Sequence, residues 1–74
     1  MRQVEYLIDI KVFRSHTLYE IIDRYRREEV FIERNNGCIH FEGSEEEFDK
    51  FTEKLYGRED EFKVIGYHNL KKEQ

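Results

Sequence analysis

Cys38 and His40, in the run "CIH", bring the chain's single thiol to within two residues of an imidazole. A thiolate beside an imidazole is the basis of cysteine nucleophiles, so this pair is the first candidate for chemistry. On an extended strand the two side chains point to the same face but stand about 6.6 Å apart, too far for a hydrogen bond without a bridging group. His68 adds a third donor, yet a zinc site needs three or four convergent ligands at about 2 Å, and "CIH" is not a spacing that supplies them. The chain has no Gly-rich phosphate loop and no CxxC. The expectation is therefore no catalytic residue, no metal and no cofactor, with a small enzyme using Cys38 and His40 kept as a third-ranked reading.

Two charge runs remain. In "RYRREE", Arg24 to Glu29, helical spacing sets Asp23 near Arg27 and Arg24 near Glu28, so intrahelical pairs absorb the charge and the run reads as a solvated helix end. In "GSEEEF", Ser44 stands where an N-cap would, with Glu47 three residues on as the partner of a capping box. Three glutamates in a row there favour the positive end of the helix dipole.

These side chains need a scaffold. Val4, Tyr6, Ile8, Ile10 and Val12 alternate with Glu5, Leu7, Asp9 and Lys11, the period of a strand with one buried face. Leu18, Ile21, Ile22 and Tyr25 fall at i, i+3, i+4 and i+7, the stripe of a helix running to about Glu28, with Ser15 or Thr17 as N-cap. "VFIER", "NNG" and "CIHFE" make a hairpin in which Gly37 supplies the positive φ. Phe48, Phe51, Thr52 and Leu55 stripe a second helix ended by Gly57, and "EFKVIGY" is the last strand, which His68 to Leu70 could extend.

The order β, α, β, β, α, β predicts an α+β fold. The arrangement it usually takes is a ferredoxin-like sandwich, a four-stranded antiparallel sheet in the order 4-1-3-2 with both helices on one face. One domain over 1–70 and a frayed charged tail over 71–74 account for the whole of a 74-residue chain. The expected core is Tyr6, Ile8, Ile10, Leu18, Ile21, Ile22, Val30, Ile32, Ile39, Phe41, Phe48, Phe51, Leu55, Phe62 and Val64.

Composition narrows the partners. With 41% charged residues but a net charge of only −4 and 15% aromatics, the chain reads as ordered. Residues 1–37 carry seven basic and seven acidic side chains and residues 38–74 carry six and ten, so the negative charge belongs to the second half. No apolar run approaches the roughly 20 residues of a membrane span, and a lone cysteine gives no sign of an oxidising compartment. A cytoplasmic protein with no membrane partner is expected.

"GCIHFEGSEEEFDKF" resembles, loosely, the third strand and second helix of RNA-recognition motif domains, in which a Gly-led aromatic strand precedes a helix. The resemblance implies bases stacked on exposed aromatics of the central strands. Here the outward positions hold Cys38, His40 and Glu42, with Leu7 and Asp9 on the first strand, so His40 alone could stack at the centre. Asp9 and Glu42 stand where phosphates would run. RNA binding is thus the second reading. The first is a non-catalytic binding or regulatory module that meets another protein, or a second copy of itself as a homodimer, through the sheet face opposite the helices. On the expected strand phase that face shows Leu7, Asp9, Phe31, Cys38, His40, Glu42, Ile65 and Tyr67, with Leu7, Phe31, His40, Ile65 and Tyr67 as partner-binding residues.

Overall fold

A computed structural model describes residues 2–71. It contains β1 (Gln3–Val12), α1 (His16–Tyr25), β2 (Phe31–Asn35), β3 (Cys38–Ser44), α2 (Glu45–Glu53) and β4 (Phe62–Asn69). The four strands form one antiparallel sheet in the order β2-β3-β1-β4, the expected 4-1-3-2 counted from the other edge.

Alternation along β1 aims Val4, Ile8 and Ile10 at the same core as Leu18, Ile21 and Ile22 of α1 and Phe51 of α2, so both helices pack on one side of the sheet. Every expected core residue lies in or against that core; Tyr6, Phe48 and Val64 are half-buried, and Val4 joins it. Aromatic rings form its spine. Phe41 stacks on Phe51 at 5.5 Å between centroids and meets the edge of Phe48 at 5.1 Å, while Phe48 stacks on Tyr6 at 4.3 Å. Such pairs add about 0.5–1.5 kcal/mol each beyond their burial.

The turns follow local chemistry. Gly37 takes φ +76° in the β2–β3 hairpin, and Gly57 takes φ +87° beyond α2, after a tightened turn in which Leu55 N donates to Thr52 O at 3.0 Å. Ser44 caps α2 by accepting from Glu47 N at 3.1 Å. The reciprocal half of the expected capping box is not made. Glu47 instead turns its carboxylate to Arg27, with Oε2 at 3.5 Å from Nη1, and to Lys50 at 4.0 Å. Ser15 occupies the N-cap of α1 without a side-chain capping bond.

Two expectations are corrected. First, α1 stops at Tyr25 rather than Glu28. Arg26 is extended at ψ 126°, its guanidinium donates to Ile32 O through Nε at 3.2 Å and Nη2 at 3.0 Å, and Arg27 and Val30 bond each other across a tight turn. The pairs Asp23–Arg27 and Arg24–Glu28 therefore do not form, because 27 and 28 are off the helix; Asp23 lies 3.9 Å from Arg26 instead.

Second, Tyr67 is not on the open face. The β1–β4 register runs Ile10↔Val64 and then Asp9↔Gly66, leaving Ile65 as an extra residue in a β-bulge. A one-residue insertion shifts the phase, so beyond it Tyr67 pairs with Ile8 on the core side and His68 pairs with Leu7 on the open side. Of the expected tail, Lys71 donates its N–H to Asn69 Oδ1 at 3.0 Å and sets its Nζ 3.7 Å from Glu42. The rest of that tail, 72–74, lies outside the described residues.

Candidate functional site

Among the described residues no helix covers the second face of the sheet, and cross-strand pairing arranges its side chains in rows. One row runs His68, Leu7, His40, Glu33 across β4, β1, β3 and β2. A second runs Glu5, Glu42, Phe31, and a third Gly66, Asp9, Cys38, Asn35. Beyond the bulge Lys11 pairs with Lys63.

Leu7 thus sits between two imidazoles, and each reaches a carboxylate two residues along β1 in opposite directions. His40 Nε2 donates to Glu5 Oε2 and His68 Nε2 donates to Asp9 Oδ2, both at 2.7 Å. The distances match but the surroundings differ. The side chains of His40 and Glu5 keep 26% and 23% of their exposure, those of His68 and Asp9 61% and 44%. The first pair works in a lower local dielectric, where a hydrogen bond is electrostatically stronger than in water. His40 is held on its other side by the edge of Phe31, 5.3 Å between centroids at 78°.

The expected site residues separate accordingly. Leu7, Phe31 and His40 come together on the open face; Leu7 is half-buried among polar neighbours and Phe31 is 46% exposed. Ile65, 66% exposed at the bulge, flanks the opposite corner. Tyr67 leaves the set. Its ring meets the edges of Tyr6 at 6.4 Å and Phe48 at 6.0 Å, and its hydroxyl shares a 2.7 Å hydrogen bond with that of Tyr56. Burial of the ring, then the bond to Tyr56 and the charge Tyr56 would carry, hold its phenol well above the ordinary tyrosine range.

Cys38 is a half-buried free thiol paired in register with Asp9, and the Nε2 of His40 is engaged by Glu5. Among the described residues no three His, Cys, Asp or Glu side chains converge as metal ligands, and no helix is long and apolar enough to cross a membrane.

The two imidazole–carboxylate pairs were not legible in the sequence. Period-two alternation puts Glu5, Leu7 and Asp9 on one face, but which histidine stands opposite requires the register, and the bulge hides His68 from any phase count. Compared with family models, with curated proteins and with solved structures, the chain finds no match.

Proposed function

We propose that this protein is a non-catalytic binding module of ferredoxin-like architecture that works through its open sheet face, and that the partner is a second copy of the chain. The observation that carries this reading is the uncovered face itself, where Phe31 and Ile65 stand exposed at opposite corners around a polar centre in which each imidazole already has a carboxylate. Apolar strand residues gain little facing water, and docking a second sheet would bury them.

Charge favours a self-complementary fit. Lys11 and Lys63 lie at one end of the face and Glu5 and Glu42 at the other. In a face-to-face dimer whose two-fold axis runs across the strands, the lysine end of one copy lies over the carboxylate end of the other. Glu5 is bonded to His40 and Glu42 lies 3.7 Å from Lys71, yet a carboxylate has about four acceptor sites, so both retain capacity. Four carboxylates of the face, Glu5, Asp9, Glu33 and Glu42, oppose a nucleic-acid backbone, and Phe31, its exposed phenyl ring, is on an edge strand rather than at the centre.

The test is sedimentation of the wild type and of a Phe31→Glu, Ile65→Glu double variant from low micromolar to near-millimolar concentration, at low and high salt. Wild type that associates and is weakened by salt, with a monomeric variant, supports the reading. Wild type that stays monomeric throughout removes the second copy as partner, and a variant that associates equally well removes the face.

A further inference from the structure

On the helix layer, away from the open sheet face, Arg24, Lys54 and Arg58 line one cavity of about 130 Å³ between α1 and the chain that follows α2. They come from separate places in the sequence. Thr17, Ile21 and Arg24 fall at i, i+4 and i+7 and share a face of α1, Lys54 is the C-cap of α2, and Arg58 lies beyond Gly57. The buried side chain of Ile21 and the half-buried Tyr25 give the cavity an apolar lining.

The charges of this groove are unanswered. Among the described residues the side chains of Arg24, Lys54 and Arg58 make no ion pair and no hydrogen bond, although acidic residues outnumber basic ones 17 to 13 in the chain. Several other cations are engaged, while among the described residues Arg14 and Lys63, which line no cavity with another free cation, are not. Arg26 is held by Ile32 O and Asp23, Arg27 and Lys50 by Glu47, Lys71 by Glu42, and Arg34 lies 5.2 Å over the ring of Tyr19. Among the described residues the one carboxylate lining the groove, Glu20, lies 3.4 Å from His16 Nε2. Arg24 is free because α1 ends before Glu28 could pair with it. A helix C-terminus favours a cation on its last turn, which accounts for Arg24 and Lys54 one at a time. It does not account for their meeting Arg58 at a shared cavity.

The geometry points to a binding site for the phosphoryl group of a small molecule. Three cations match a dianion rather than a monoanion, and the guanidinium forks of Arg24 and Arg58 present paired donors suited to its oxygens. A cavity of about 130 Å³ is smaller than the roughly 300–1,000 Å³ that encloses a whole drug-sized ligand, so it takes the charged group and leaves the remainder of the molecule outside.

The test is an amide NMR titration of the full chain with inorganic phosphate and, side by side, glycerol phosphate, at ionic strength held constant with sodium chloride. Saturable shifts confined to Thr17, Ile21, Lys54 and Arg58, absent at His40 and His68 on the sheet face, are the expected result, and the tighter of the two probes tells free phosphate from a phosphate ester. An Arg24→Gln, Arg58→Gln variant, with both changes at exposed positions, keeps the folded spectrum and loses affinity by about tenfold or more. An Arg14→Gln control, outside the groove, leaves the affinity unchanged. Shifts from both probes that grow without saturating, or saturable binding that the double variant retains, overturn the site.

Discussion

His40 and Glu5 are 35 residues apart in the chain, and their side chains meet diagonally across β3 and β1 at 2.7 Å with less than a third of each exposed. The second pair, His68 and Asp9, repeats the distance on the other side of Leu7 with about twice the exposure. Equal geometry and unequal burial make the two pairs a matched comparison, in which the solvent around each bond is the variable.

Double-mutant cycles therefore read out unequal couplings. For His40→Ala with Glu5→Ala the coupling is expected at about 0.5–1.5 kcal/mol, the range of a net hydrogen bond in a folded protein. For His68→Ala with Asp9→Ala it falls within about 0.2–1 kcal/mol, as for exposed ion pairs, and shrinks in salt. Urea melts of the four variants in each cycle measure both. A larger coupling at His68–Asp9 would contradict a strengthening of the His40–Glu5 bond by burial.

The two helix starts separate a working cap from an idle one. Ser44, 7% exposed, accepts from Glu47 N, so Ser44→Ala should cost about 1 kcal/mol. In a domain this small that lowers Tm by roughly 4–8 °C. Ser15 makes no such bond, and Ser15→Ala should stay within about 0.5 kcal/mol of wild type. Thermal melts of the two variants decide the matter, and equal losses would mean that Ser44 does not cap α2.

Tyr67 gives a pH signature. Its phenol is raised in the folded chain, first by burial and then by Tyr56, relative to an unfolded value near 10. A group raised on folding contributes stability that is fully present below the unfolded value and is lost as pH climbs through the folded one. Alkaline unfolding should therefore set in above about pH 10. In an ultraviolet titration of the chain's five tyrosines one phenol ionises last, and Tyr67→Phe removes that step. A last step that survives in Tyr67→Phe assigns the late phenol to another tyrosine.

Much of the architecture follows from the sequence alone, and particular residues say why. Ile8 and Ile10 in an alternating run, Ile21 and Ile22 on a helical stripe, and Gly37 in "NNG" each satisfy a local rule, and the handedness of crossover connections then leaves one natural strand order, the one observed. The N-cap at Ser44 was readable for the same reason, since the donor it satisfies lies three residues away.

What the tertiary structure decided lies at long range. The end of α1 at Tyr25 coincides with Arg26 reaching the carbonyl of Ile32, and Glu47 abandons the capping box for Arg27, a residue 20 positions upstream. The exchange of Tyr67 for His68 on the open face depends on a single unpaired residue, Ile65. Period-two counting carries a strand's phase forward only while the ladder is unbroken. A bulge costs one residue of register, and that one residue turns every later side chain to the other side of the sheet.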